Sequence, residues 1–229
     1  MQIVILCGGL ATRLYPVTQK IPKSMVEIDG RPFLEYQIEL LKKNGIFNLV
    51  LCVGNFSEQI EQYFGNGEKF GIKIQYSYDG ASLAGTGGAL KKAEGLLEDE
   101  FLVMYGDSYL PFDFQKAITF FKEKGKQGLM TVFHNANKYE SSNVEAEEEL
   151  VKAYSKKEKT PKMEHIDYGL SIFKKEDLKL LPSDGASDLS ALHLALIADK
   201  QLLAFPVEQR FYQVGSFGGI EEFKTYIKK

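Results

Sequence analysis

No stretch of this chain approaches the ~20 consecutive apolar residues that cross a bilayer. Its start also lacks the basic segment and long hydrophobic run of a secretory leader. The chain therefore reads as a cytoplasmic protein with no membrane partner. Positive charge is not in surplus either, with 28 Lys and Arg against 31 Asp and Glu and a formal net charge of −3. Nucleic acid and anionic membrane surfaces are thereby disfavoured as partners, and any phosphate site must be a local feature. Only two cysteines occur, Cys7 and Cys52, each inside an apolar strand-like run. A small buried hydrophobe is the role expected of both, with no disulfide. The three histidines, His134, His165 and His193, have no spacing that asks for a catalytic or metal role. His193 reads as a packed or exposed helix residue. Neither G-x-G-x-x-G nor G-x-x-x-x-G-K-[ST] is present, which removes the dinucleotide-fold and P-loop readings. No internal repeat, low-complexity tract or clear linker breaks the 229 residues, so one domain over 1–229 is expected.

The pattern of what is present predicts an α/β protein. Short apolar runs at 3–7, 47–53, 72–78, 101–105 and 129–133 read as buried strands. Between them lie helical patterns. One starts at Pro32 and carries Leu34, Ile38 and Leu41, one is capped by Ser57, one runs from about Thr86, and one begins at Asp113. Strand alternating with helix implies a Rossmann-like, mostly parallel mixed sheet flanked by helices. Residues 135–170 differ in character, with an acidic run from Glu145 to Glu149 and the lysine-rich KKEKTPK at 156–162. Such runs form solvated faces or hairpin tips, so a small β excursion is expected there. Further strands are expected at 150–154, 166–173 and 202–207. Three more helices are expected near 175–181, after Ser187 with Leu189, Leu192 and Leu196 as its stripe, and at 220–227.

Chemistry concentrates where these strands end. Gly8 and Gly9 follow the first strand directly, so main-chain N–H groups there can approach an anionic oxygen closely. Arg13 and Lys23 put two cations on the same excursion, a combination suited to polyphosphate. A second glycine cluster, Gly85, Gly87 and Gly88 around Thr86, opens a helix whose N-terminal amides would face whatever lies over the sheet. Asp107 stands just past the carboxyl end of a buried strand, where open α/β sheets place their chemistry. Each feature alone also fits an ordinary turn.

Taken together, the run LCGGLATRLYPVTQKIPKSMVEIDGRPFLEYQIELL resembles the N-terminal signature of the sugar-1-phosphate nucleotidyltransferases. LAGTGGALKKA resembles that family's nucleotide-contacting loop, YGDSYL its metal-aspartate strand end, and IDYGLSIF its sugar-side strand. The short bacterial members acting on mannose or heptose 1-phosphates are the most similar subgroup. The resemblance implies attack of a sugar 1-phosphate on the α-phosphorus of an NTP, with release of pyrophosphate, for surface polysaccharide precursors. GTP is favoured, with CTP and UTP open, and Mg²⁺ is the implied cofactor. It further implies that Leu6, Gly8, Gly9 and Thr12, together with Asp79, Gly85, Thr86, Gly87 and Gly88, contact the nucleotide. Arg13 would hold phosphates, and Lys23 would bridge the α-phosphate and the sugar phosphate. On the sugar-phosphate side, Lys157, with Lys156 as its neighbour and alternative, would hold the phosphate, and Asp167 and Gly169 would contact sugar hydroxyls. Asp107 and Gln213 would hold the metal. A homo-oligomer is compatible with all of this.

Two positions depart from the family's pattern. Ala11 replaces a usual glycine, so the first loop must differ locally if positive φ is needed there. Gln213 replaces the usual second aspartate, which keeps a carbonyl oxygen but lowers the charge of the metal cage. A non-catalytic sugar-nucleotide sensor is the reading that Gln213 favours. A nucleotide-sugar-dependent glycosyltransferase shares this kind of sheet, but the Asp-x-Asp pair of that class is absent at Asp107-Ser108-Tyr109.

Overall fold

The computed structural model describes residues 1–9, 12–80 and 82–228; the reading of Ala11 therefore lies outside the described residues. Nine strands form the main sheet: β1 (Gln2–Leu6), β2 (Asn48–Val53), β3 (Lys73–Tyr78), β4 (Glu100–Tyr105), β5 (Gly128–His134), β6 (Val144–Glu147), β7 (Leu150–Tyr154), β8 (His165–Lys174) and β9 (Leu202–Val207). Their order across the sheet is β3-β2-β1-β4-β8-β5-β9-β7-β6. The first half, from β3 to β4, is parallel throughout. β8 enters antiparallel between β4 and β5, and β9 returns parallel to β5. The mostly parallel mixed sheet expected from the alternating pattern is therefore the one observed.

Side-chain alternation on β1 shows why this strand is central. Ile3 and Ile5 face one core with α1 (Phe33–Lys43), α2 (Ser57–Phe64) and α4 (Phe114–Lys124), while Val4 and Leu6 face the other with α3 (Gly85–Lys92) and α5 (Ser190–Ala198). A strand covered on both faces must be apolar along its length, and QIVIL is buried at all five positions. A third, smaller core matters more for the site. Leu14, Val26 and Ile28 of the first loop pack with Val214, Ile220 and Phe223 near and on α6 (Phe217–Ile227). Phe33 meets Phe223 edge to face, with ring centroids 5.2 Å apart. The loop carrying Arg13 and Lys23 is thus pinned to the far end of the chain.

Several local expectations change. Ser57 does not cap α2, because Phe56 occupies that position in a left-handed conformation. Ser187 does not cap α5, which starts at Ser190. The closing helix starts three residues earlier than expected, with the Ser216 hydroxyl accepting from the Gly219 amide at 3.1 Å. Asp113 does cap α4, accepting from Gln115 N–H at 3.0 Å. The acidic run forms β6 and the tip of its hairpin with β7, where Glu148 and Glu149 both take positive φ. Among the described residues no helix is long and apolar enough to cross a membrane.

β8 carries a bulge at Asp167 and Gly169. Its register against β5 slips between Asp167 and Ser171, with Gly169 at φ +108° inside the irregularity. The fully buried Thr131 hydroxyl services the bulge, donating to Leu170 O at 2.7 Å and accepting from Leu170 N–H at 3.2 Å. Thr131→Val keeps the shape but strands both Leu170 groups. A loss of about 1–3 kcal/mol is expected, read as a lower midpoint in urea unfolding; an unchanged midpoint would show that the bulge is held by the strands alone.

Candidate active site

The carboxyl ends of β1, β3 and β4 open onto one cavity of about 230 Å³, lined among others by Leu6, Gly8, Gly9, Asp79, Gly85 and Thr86. Lys23 and Asp107 stand on its border. Close backbone approach is built in here. A Cβ on Gly8 would fall 2.9 Å from Asp79 Oδ2, and one on Gly106 2.7 Å from Leu6 O. Gly9 has open space beside it, so its amide edge is approachable. Burial pushes the Asp79 carboxyl above its ordinary range, opposed by the Ala84 amide and by Lys92. Cys7 also lines this cavity, but burial raises its thiol to about 12, which makes it an inert wall.

The second glycine cluster behaves differently from expectation beyond its first two residues. Gly87 and Gly88 donate their amides to Ser187 O at 2.9 and 3.3 Å, and Thr86 Oγ1 accepts from Leu189 N–H at 2.8 Å. A Cβ on Gly87 would fall 2.9 Å from Asp188 O. These glycines let segment 185–189 pack against the start of α3; their N–H groups are spent inside the protein. Gly85 and Thr86 line the cavity, whereas Gly87 and Gly88 do not.

A second cavity of about 370 Å³ adjoins the first, with Asp107 and Tyr105 lining both. Arg13, Lys156, Asp167, Gly169 and Gln213 line it. Arg13 thus lies in the second cavity rather than the first. Thr12 is exposed and lines neither. Of the two lysines, Lys156 borders the cavity and Lys157 is not among its lining residues. Strand β7 ends at Tyr154 and the chain turns at Ser155, whose hydroxyl accepts from the Lys157 amide at 3.2 Å, which leaves Lys156 as the lysine on the cavity. Lys156 reaches Asp188 at 2.8 and 2.9 Å. Burial would raise Asp188, but hydrogen bonds from Lys156 and Ser190 outweigh it and hold the carboxyl at about 2. The Asp167 carboxyl is pushed up to about 6, chiefly by burial and against the pull of the Gly169 amide, Lys156 and two tyrosine hydroxyls.

Between the cavities the charged groups meet. Lys23 Nζ pairs with Asp107 Oδ2, and Ser108 Oγ donates to Asp107 Oδ1 at 3.3 Å. The two-residue ribbon of Tyr212 and Gln213 pairs with Ser108 and Tyr109, and Val214 N–H donates to Asp107 O at 2.9 Å. This ribbon is what carries Gln213 across to the aspartate. Gly215 then makes room for the cluster, since a Cβ there would lie 2.5 Å from Gln213 Oε1, 2.8 Å from Lys23 Nζ and 3.1 Å from Arg13 Nη2. From below, the buried Gln37 of α1 donates to Tyr105 O at 3.0 Å and Ser108 O at 2.7 Å, fixing the strand end that bears Asp107.

The donor set for a cation is small. Among the described residues no group of three or more His, Cys, Asp or Glu could hold a metal. Asp107 offers a carboxylate, and Gln213 Oε1, which already accepts from Gly215 N–H, keeps one lone pair. One carboxylate and one carbonyl suit a hard divalent cation that takes its remaining ligands from phosphate and water. They do not suit a cage that binds metal alone.

Two adjoining cavities at the carboxyl edge of a mixed α/β sheet meet at a junction of cations and one aspartate. The chain belongs to the nucleotidyl transferase family, whose model matches residues 2–224. It is 30% identical over 247 residues to a UTP–glucose-1-phosphate uridylyltransferase of Synechocystis sp., covering 100% of this chain and 63% of that protein. It is 45% identical over 116 residues to a D-glycero-α-D-manno-heptose 1-phosphate guanylyltransferase of Campylobacter jejuni, covering 51% of this chain and 52% of that one. The chain thus spans less than two thirds of these relatives' length. Among solved structures, HddC of Yersinia pseudotuberculosis complexed with GMP-PN superposes with a TM-score of 0.81 at 23% identity over 99% of both chains. A putative glucose-1-phosphate thymidylyltransferase of Bacillus anthracis reaches 0.89 at 18% identity over 100% of this chain and 96% of that one. At those identities the likeness is one of fold.

Sequence reasoning missed Gln37, Tyr105, Tyr154 and Asn143, which accepts from the Asp167 amide at 2.8 Å. Tyr105 was within reach, since it directly precedes Gly106-Asp107. Gln37 was not, because a polar residue at an apolar helix position carries no address.

Proposed function

We propose that the chain acts as one nucleotidyltransferase unit over 1–229, moving a nucleoside monophosphate from an NTP to a sugar 1-phosphate and releasing pyrophosphate. The observation that carries this reading is the meeting of Lys23, Arg13, Gln213 and Asp107 around Gly215, between two cavities of unlike character. The first takes the nucleoside, with Leu6, Gly8, Gly9, Asp79, Gly85 and Thr86 around it. The second takes the sugar phosphate, with Lys156, Asp167 and Gly169. Guanine is the favoured base, supported by the heptose guanylyltransferase likeness, with CTP and UTP as the competing substrates. Surface polysaccharide precursors are the corresponding products, made in the cytoplasm.

The chemistry asks little covalent help. A phosphate monoester with a second pKa near ~6 is largely a dianion at neutral pH and already nucleophilic. The protein has to align two mutually repelling anions and neutralise the charge passing to pyrophosphate. Lys23 is placed to bridge both phosphates as a point charge, and Arg13 to hold two oxygens at once. Asp107 and Gln213 would hold Mg²⁺, which supplies charge neutralisation on the triphosphate when bound.

The test is pyrophosphate release from four NTPs against α-D-mannose, α-D-glucose and D-glycero-α-D-manno-heptose 1-phosphates with Mg²⁺. Release is expected only with all three components and most with GTP. Tight binding of both substrates without release from any pair would turn the protein into a sensor.

A further inference from the structure

The rim of the second cavity includes a loop that is bonded to itself. Segment 135–143 joins β5 to β6, and its two posts, Asn135 and Ser142, are buried. Asn135 donates to Glu140 O at 2.6 Å and accepts from the Tyr139 amide at 3.2 Å, while the Ser142 and Asn137 amides donate to each other's side chains at 2.8 and 3.0 Å. These side-chain bonds make the loop one body, and it carries Glu140 onto the cavity. Among the ring contacts of Tyr139, the shortest is to Arg210, whose guanidinium carbon stands 4.1 Å from the ring centroid; Phe133 and Phe211 are at 6.1 and 6.5 Å. Arg210 also stands 5.1 Å from the Tyr212 ring and pairs with Glu222 of α6. Its Nε is buried without a hydrogen-bond partner, so the two rings and Glu222 offset the desolvation of the cation. The base under Arg210 is fixed independently, because Tyr212 pairs with Tyr109 and stacks on Tyr226 at 4.3 Å. The loop is the side that a lost contact would release.

We propose that Arg210 is a positioning residue for the sugar 1-phosphate: it latches Tyr139 and so keeps the 135–142 loop closed as one wall of the second cavity. This rests on the sugar-side reading of that cavity. Arg210 is not among the cavity's lining residues, so its effect has to pass through Tyr139. When only the closed loop completes a site, the apparent affinity falls with the closed fraction. The first cavity has no lining residue from the loop, and its ligand is therefore indifferent to the latch. A competing role is structural, because Glu222 ties Arg210 to α6, and α6 packs on the segment that carries Arg13 and Lys23. That role would disturb both cavities together.

Arg210→Met and Tyr139→Leu each break the contact, and Arg210→Lys keeps a cation without the planar fork. Calorimetric titration with the same three sugar 1-phosphates, without nucleotide, reads the second cavity; titration with GTP and Mg²⁺ reads the first. We expect sugar binding about five-fold weaker in Arg210→Met and in Tyr139→Leu, no further loss in the double variant, partial recovery in Arg210→Lys, and GTP binding within two-fold throughout. Sugar affinity within two-fold of wild type in either single variant overturns the proposal, as do losses that multiply in the double variant. Glu222→Gln should stay within two-fold, because that carboxylate is 56% exposed. If it reproduces the Arg210→Met loss, or if GTP binding falls alongside sugar binding, Arg210 anchors α6 and the proposal is overturned. The latch also has a reading that needs no ligand. The chain contains no tryptophan, so Tyr139→Trp keeps a ring for Arg210 and supplies a single indole. Acrylamide should quench that indole at least two-fold more efficiently once Arg210→Met is added, and equal quenching overturns the latch. A wild type that binds none of the three sugars brings down the sugar-side reading and this assignment with it. Pyrophosphate release by the wild type scores the transfer reading separately, so binding without release retires that reading while the latch result stands.

Discussion

Lys23→Ala is expected to lower kcat by about 10²–10³-fold, the cost of removing one fixed donor from a site where charge develops. The Lys23 side chain is only 14% exposed. Its ammonium therefore acts through a medium less polar than water, where two unit charges 4 Å apart interact by about 4 kcal/mol at an effective dielectric of 20. Its partner in the structure is Asp107. Removing the lysine leaves that carboxylate without its counter-charge, so Mg²⁺ affinity in the absence of nucleotide should rise as kcat falls. A purely structural lysine would give the reverse, with weaker metal binding from a disordered Asp107 and a lower melting temperature. Steady-state pyrophosphate release and Mg²⁺ titration of the nucleotide-free variant check both halves, and a kcat within three-fold of wild type would end the phosphate-bridging assignment.

The sheet was legible because burial on both faces writes itself into composition. VIL and LVLCV have no other stable use at that length, and their alternation with helical patterns dictates parallel pairing. The antiparallel entry of β8 was not legible, since its insertion between β4 and β5 depends on long-range pairing that no local pattern encodes. The site divides in the same way. Residues attached to strand ends, such as Asp107, Asp79 and Gly8, sit where the topology of such sheets puts chemistry. Residues placed by packing between distant segments were misjudged. Gly87 and Gly88 look identical in sequence to glycines that hold phosphate, but their amides are consumed by Ser187, about 100 residues further along the chain and adjacent in the fold. Lys156 and Lys157 are adjacent, and only the turn at Ser155 decides which one reaches the cavity. Gln213 was found through its place before Gly215-Ser216, yet the reason it reaches Asp107 is a two-residue ribbon too short to leave a periodic signal.

Arg13→Ala should likewise lower kcat by about 10²-fold or more while changing substrate affinities by less than three-fold. Arg13 directly precedes Leu14, which is fully buried in the small core shared with Val214 and Phe223, so its backbone is fixed although its side chain is exposed. An exposed guanidinium gains little from a ground-state anion that water also solvates well. It gains more as negative charge accumulates on the departing pyrophosphate and the planar fork engages two oxygens. Interactions realised mainly in the transition state appear in kcat and kcat/KM together, whereas uniform binding appears in KM alone. Arg13→Lys separates charge from geometry: a lysine that restores most of kcat means that charge suffices, and one that restores little means that the fork is required. The position of Arg13 in the second cavity, with Nη2 3.1 Å from where a Gly215 Cβ would stand, predicts a further asymmetry if that cavity takes the sugar phosphate as proposed. Any KM change in Arg13→Ala should fall on the sugar 1-phosphate before the NTP. Equal loss of affinity for both substrates at unchanged kcat would show that Arg13 serves only to gather anions.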